Sequence, residues 1–233
     1  MMHTDNLVLR EISERVIYCS LCPRLLSYIK QVGDSKVRRF ITEEYWAKPL
    51  PGFGDPKAQL FIIGLAPAAH GGNRTGRIFT GDSSGDWVVR AMFETGFANK
   101  PTSLSKNDGL VLNGAYMTAV VKCAPPLNKP NPSEKSNCSQ YLSEEIKALE
   151  ETTEVILTLG KVAFDTYCKL FKIERLTFIH GACYRVEGQK TLLVSYHPSR
   201  RNTSTGKLTW PMWIDVFKRA RSLIVNKQII QLD

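Results

Sequence analysis

Residues 60–82 read LFIIGLAPAAHGGNRTGRIFTGD, and their order sets the fold class. LFIIGL (60–65) is apolar without alternation, as expected of a strand covered on both faces. It runs directly into a glycine-rich, basic stretch that carries His70, Asn73, Arg74 and Arg77. A strand ending this way marks the carboxyl edge of an open α/β sheet, where ligands bind. The first part of the stretch, GLAPAA, has no side chain able to do acid–base chemistry.

Three more apolar runs follow: AYMTAVV (115–121), EVILTLG (154–160) and TLLVSY (191–196). Helical spacing separates them over 85–96, 133–151, 161–171 and 209–227, and another helical stretch covers 7–32 with a break near Pro23. Residues 40–59 read as loop. Strands alternating with helices predict an α/β fold of three layers, αβα, around a parallel sheet. Each strand ends in a distinctive motif: GLAPAA, KCAPPLNKP, LGK and HPSRRN. One sheet edge would gather all four into a single site. Residues 1–233 read as one domain.

Composition narrows the class. The 233 residues are 43% hydrophobic and 23% charged, which suits a folded domain and excludes a disordered or repetitive chain. No apolar run approaches the roughly 18 residues of a membrane span, and MMHTDNLVLR has no long apolar core like that of a secretory signal, so a cytoplasmic location is expected. Net charge is +9, spread over KVRR, NRTGR, SRRN and FKRAR. That distribution predicts an anionic partner held along a groove, most simply nucleic acid. GGNRTGR fits neither the P-loop order nor the dinucleotide fingerprint, which counts against a nucleotide-binding enzyme.

Six cysteines in such a chain point to metal or redox chemistry rather than disulfides. Cys19 and Cys22 form a C-x-x-C pair. Cys123 and Cys138, set wider apart, complete a four-thiolate set. Spacing alone admits zinc or iron–sulfur; the second pair is not the second knuckle of a structural zinc site, which favours iron–sulfur. Cys168 and Cys183 read as packing residues.

Three segments together, GLAPAAHGGNRTGRIFTGD, VVKCAPPLNKPNP with its downstream Cys138, and YHPSRRN, resemble the uracil-DNA glycosylase superfamily. The resemblance is to its family five, the iron–sulfur type of archaea and thermophiles, and covers nearly the whole chain. It implies a four-stranded parallel sheet with helices on both faces. It also implies a 4Fe–4S cluster on Cys19, Cys22, Cys123 and Cys138, with the N-terminal helical segment contributing to it. That cluster would brace the DNA-touching segments and take no part in hydrolysis. The implied reaction breaks the N-glycosidic bond of a flipped-out uracil and leaves an abasic site. Hypoxanthine and other deaminated or damaged bases are expected substrates too. Two alternatives remain: a strictly uracil-specific, family-four-like enzyme, and a non-catalytic, metal-stapled nucleic-acid-binding protein.

Roles follow residue by residue. The resemblance has His197 donate a hydrogen bond to uracil O2 and Phe79 stack on the base. Asn128 is expected to read the base edge, since an amide offers donor and acceptor. Ala66 and Ala68 would form an apolar wall, Gly64 is a further base contact, and His70 and Asn73 are base contacts held in reserve for the water-positioning role. Related enzymes place an acid or amide just after the first strand. Here Leu65 to Ala69 stand there, so Asp82 is expected to position the water; its competing role is a helix N-terminal charge. Arg74, Arg77, Ser199, Arg200 and Arg201 are expected on DNA, with Arg200 to Asn202 where a wedge would enter the minor groove. The expected partner is lesion-bearing DNA, with a sliding clamp as a further candidate, and the expected form is a nucleoid-associated monomer. The tail VNKQIIQLD is apolar enough either to dock on a partner or to pack on its own domain.

Overall fold

The computed structural model describes residues 7–230, with side chains through Asn226. The readings of MMHTDN and of the tail VNKQIIQLD therefore lie wholly or largely outside the described residues.

The chain opens with α1 (Leu7–Ile17) and α2 (Pro23–Ser35). Pro23 occupies the first turn of α2, where its fixed φ and missing N–H cost nothing. The helical run therefore breaks at 18–22, and Cys19 and Cys22 stand in the break. There follow β1 (Phe53–Gly54), β2 (Leu60–Gly64), α3 (Gly72–Thr75), α4 (Ser83–Glu94), β3 (Ala115–Ala119), α5 (Pro132–Ala148), β4 (Val155–Leu159), α6 (Lys161–Leu170), β5 (Cys183–Arg185), β6 (Thr191–Ser195), α7 (Arg200–Ser204) and α8 (Trp210–Ile230).

The sheet order is β1-β3-β2-β4-β6-β5. Its inner four strands are parallel, and they are the four apolar runs of the sequence. The outer two, β1 and β5, run antiparallel and extend the sheet beyond the four strands expected. They are two and three residues long, too short to leave a periodic signal. Cys183 is exposed on β5 and Cys168 half-buried, so neither is the fully packed residue expected.

Alternate strand residues face opposite layers. Leu60 and Ile62 of β2 join Met117, Leu157 and Leu193 against α4 and α8, with Trp213 and Phe217 at the centre. Phe61 and Ile63 point the other way, into a core built with α1, α2, α5 and α6. These side chains are essentially without exposure, and burying each contributes about 1.5–3 kcal/mol. Three αβα layers result. Among the described residues no helix is long and apolar enough to cross a membrane.

Register brings the motifs together. Gly64 pairs with Ala119, and Leu159 with Ser195. The four parallel strands therefore end side by side, and their loops share one edge.

Candidate functional site

A cavity of about 630 Å³ opens at that edge, within the size range of small-molecule sites. The first motif lines it with Ala66, Ala68, Phe79 and Asp82, and the second with Asn128. The third adds Gly160 and Lys161, and the fourth Tyr196, His197, Ser199 and Arg200.

Phe79 forms the floor. Its backbone is left-handed, with φ at 50°, a conformation that costs a non-glycine residue about 1–3 kcal/mol. Two glycines hold it there. A Cβ on Gly64 would stand 2.6 Å from the ring tip, and one on Gly85 would stand 2.4 Å from the Phe79 carbonyl oxygen. Gly64 thus shapes the cavity from behind the ring without lining it.

Asp82 caps α4. Its Oδ1 accepts from the backbone N–H groups of Ser84 (2.9 Å) and Gly85 (3.0 Å). Its other oxygen lies against Gly71, where a Cβ would come within 2.1 Å of Oδ2. The helix-capping role weighed for Asp82 is present, and the same carboxylate lines the cavity. Burial pushes its pKa above the usual carboxylate range, while the two backbone donors pull it down.

His197 follows β6. Asn202 donates from Nδ2 to the His197 carbonyl at 2.9 Å, and a Cβ on Gly160 would stand 3.2 Å from the His197 Cβ. Burial alone lowers its pKa to about 4. At pH 7 the ring is therefore neutral and carries one N–H donor. His180, from the segment before β5, stacks on Tyr196 with ring centroids 5.0 Å apart. The Tyr196 N–H donates to His180 Nδ1 at 3.2 Å. This fixes the strand end from which His197 projects.

Asn128 stands on the rim, exposed, with φ at 56°. Ser199 caps α7, accepting from Asn202 N–H at 3.4 Å, and Arg200 and Arg201 are exposed in its first turn. The expected wedge loop is thus largely a short helix.

Four expected contacts face elsewhere. His70 sits outside the cavity, its Nδ1 3.1 Å from the Tyr45 hydroxyl, and burial and the nearby Arg39 and Arg74 lower its pKa. Asn73 is fully buried; its Nδ2 donates to the Ile29 carbonyl at 3.3 Å and ties α2 to the first motif. Arg74 pairs with Glu43, donates to the His70 carbonyl at 2.9 Å and lies over the Phe40 ring. Arg77 is 4% exposed and holds both carboxylate oxygens of Asp108 at 2.9 and 2.8 Å. Neither guanidinium is open to a DNA phosphate, because each completes a polar network inside the protein. The polar side chains Lys161, Tyr196 and Lys207 are among the cavity residues absent from the expected set. LGK after the third strand was the available sign of Lys161. Lys207, 5.0 Å from the Tyr196 ring, arrives through a contact that no local pattern encodes.

The four cysteines come from the helix break, the end of β3 and α5. Cys22, Cys123 and Cys138 are buried and Cys19 half-buried. Burial pushes the Cys138 thiol up to about 11, with Cys22 and Cys19 adding to the rise. Cys123 is raised further, by burial and then by Cys138, Cys19 and Cys22. The four thiols are thus close enough to feel one another. Yet among the described residues no three His, Cys, Asp or Glu side chains stand close enough to hold a single metal ion. Arg24 braces the region, with Nε and Nη2 each 2.8 Å from the Glu134 carboxylate at the start of α5.

The model of the Uracil DNA glycosylase superfamily matches residues 51–219. A type-5 uracil-DNA glycosylase of Thermus thermophilus is 46% identical over 207 residues, 88% of this chain and 93% of that protein. A type-5 uracil-DNA glycosylase of Pyrobaculum aerophilum is 40% identical over 219 residues, 94% of this chain and 95% of that protein. A type-4 uracil-DNA glycosylase of Archaeoglobus fulgidus is 32% identical over 157 residues, 64% of this chain and 70% of that protein. With the strand-end motifs gathered on one cavity and type-5 relatives matched over nearly their full length, this chain belongs to the uracil DNA glycosylase superfamily, alongside its type-5 members.

Proposed function

We propose that the protein removes uracil from DNA by hydrolysing the N-glycosidic bond, leaving an abasic site. The observation that carries this reading is the opposition, in one cavity, of a carboxylate fixed at a helix N-terminus and a histidine that burial keeps neutral. The base must leave the stack to reach the cavity. Phe79 offers its ring face, and base–aromatic stacking is worth about 1–3 kcal/mol. As the bond from N1 to C1′ breaks, its electron pair passes to the base and the sugar becomes cationic. The His197 N–H meets the charge growing on uracil O2. The Asp82 carboxylate orients a water toward C1′, accepts its proton as the new C–O bond forms, and offsets the sugar's positive charge.

Ala66 and Ala68 leave that wall without hydrogen-bonding side chains, which supports a wider lesion range including hypoxanthine. The all-sulfur donor set supports a 4Fe–4S cluster on Cys19, Cys22, Cys123 and Cys138. Zinc draws four ligands to about 2.3 Å of one ion, whereas an iron–sulfur cluster spreads its thiolates over several irons. Its place behind β3 and α2 suits a brace rather than a reactant. A cytoplasmic, nucleoid-associated location and a sliding-clamp partner complete the reading.

The test is excision from oligonucleotides bearing uracil or hypoxanthine, with iron and sulfide measured on the same anaerobic preparation. Release of uracil sustains the glycosylase reading, release of hypoxanthine sustains the breadth, and bound zinc without iron would overturn the cluster.

A further inference from the structure

Flipping a base out of a duplex leaves a gap that glycosylases and architectural proteins commonly fill with an apolar side chain. The helix-capped segment after His197 presents Arg200 and Arg201, which are charged. Across the cavity, the loop after β3 presents something different. Leu127 is 84% exposed, the highest value among the exposed large hydrophobics of the described residues. It immediately precedes Asn128, which lines the cavity. Val162, in the first turn of α6, is the other exposed aliphatic side chain on this rim, at 36%.

Leu127 is also held out against its own preferences. Its φ is 54° and that of Asn128 is 56°, two successive left-handed residues with no glycine between them. Such conformations persist where the surroundings over-determine them, and they cluster at functional sites. Here the surroundings are rigid. Pro125, Pro126 and Pro130 flank the pair and fix their own φ. Asn128 N–H donates to the Pro125 carbonyl at 3.1 Å, and Lys129 N–H to the Pro126 carbonyl at 3.0 Å. Arg24, anchored on Glu134, reaches the Lys129 carbonyl at 3.4 Å. An apolar side chain on a stiff tip is pre-ordered for insertion, because little freedom is left to lose. Lys129, exposed close to it in the chain, adds a positive charge suited to the DNA backbone.

We infer that Leu127 enters the DNA base stack beside the flipped nucleotide and fills the space it leaves, holding the base in the cavity while Asn128 meets its edge. The inference rests on the glycosylase reading above. It makes Leu127 a positioning residue that acts on duplex DNA and has no task on a single strand, where there is no stack to fill.

The experiment compares wild type, Leu127→Ala and Leu127→Met in single-turnover uracil excision from a U:A duplex, a U:G duplex and a single strand. A second readout is the fluorescence rise of 2-aminopurine next to a 2′-fluoro-deoxyuridine in duplex, which reports unstacking without cleavage. Leu127→Ala should slow excision about ten-fold or more from U:A, less from U:G, and less than about two-fold from the single strand, because the cost of opening falls in that order. The fluorescence rise should shrink in the Ala variant, and Met should restore both. Equal loss on single and double strands, or no loss on U:A, would overturn the inference. Failure of the wild type to release uracil from any of the three substrates would instead sink the glycosylase reading.

Discussion

NRTGR (73–77) and SRRN (199–202) look alike in the sequence, two short basic segments at the ends of strands. In the fold they part. Arg77 is nearly sealed from water, and its guanidinium is shared among Asp108, Ser103 (2.8 Å) and Thr80 (3.0 Å). Arg200 is open on the cavity rim. The first holds the loop that carries Phe79 and Asp82; the second is free to meet a phosphate. A basic motif reports positive charge, but burial and an acidic partner decide whether that charge reaches DNA. Between these extremes stand Asp82 and His197, buried enough to be tuned and open enough to touch a base.

The sharpest way to break the contrast is Arg77→Ala. It would strand the Asp108 carboxylate, which the guanidinium and three backbone N–H groups hold well below the usual carboxylate range. Removing one partner of a buried pair costs about 3–5 kcal/mol. The melting temperature should fall by roughly 10 °C. The salt dependence of DNA binding by the protein that remains folded should not change. A weaker salt dependence with unchanged melting would show Arg77 on the DNA after all.

Next come the tuned groups. Asp82→Asn and His197→Ala should each slow single-turnover excision by about a hundred-fold or more. Asparagine still caps α4, so Asp82→Asn should keep or raise the melting temperature. The pH profile separates the two. Protonating Asp82 removes the base, so the wild-type rate should fall as pH drops through a value above the ordinary carboxylate pKa. His197 should add no limb near 6.5, since its pKa is about 4. A rate that climbs as pH falls through 6.5 would mean that an imidazolium does the work. Stability carries the matching sign. The unfolded chain binds a proton on His197 that the folded one refuses between about 6.5 and 4, so that contribution is present above the window and lost as pH falls through it.

The smallest effect belongs to the open rim. Arg200→Ala should leave melting unchanged and reduce the slope of log K against log salt by about one, as expected for one phosphate contact. A titration of DNA binding over a range of salt reads this directly. No change in slope would leave Arg200 as idle as Arg77 on this count.

Much of this was legible beforehand. Unbroken apolar runs gave the four central strands, because a strand buried on both faces has no polar positions to spare. Asp82 and His197 were reachable as cavity residues because one ends the stretch that leaves the first strand and the other opens HPSRRN after the fourth. Leu60–Gly64 was read correctly to within a residue, whereas β1 and β5 left no trace, since an edge pairing of two or three residues is set by its neighbour and not by its own period. His70 and Asn73 were read as base contacts, and Arg74 and Arg77 as phosphate contacts, because all four stand in a glycine-rich, basic stretch after a strand. Nothing local reveals that Glu43 and Asp108, 31 residues away in either direction, have already claimed the two arginines.

The sequence by itself determined the layers, the strand edge that carries the site, and the types of side chain delivered there. Those follow from hydrophobic periodicity and from glycine and proline, which act within a few residues. Only the tertiary structure decided which charges stay inside, how far burial moves Asp82 and His197 in opposite directions, and that an apolar Leu127 stands out on a strained loop. Each of these depends on desolvation and on partners far along the chain, and both exist only once the chain has folded.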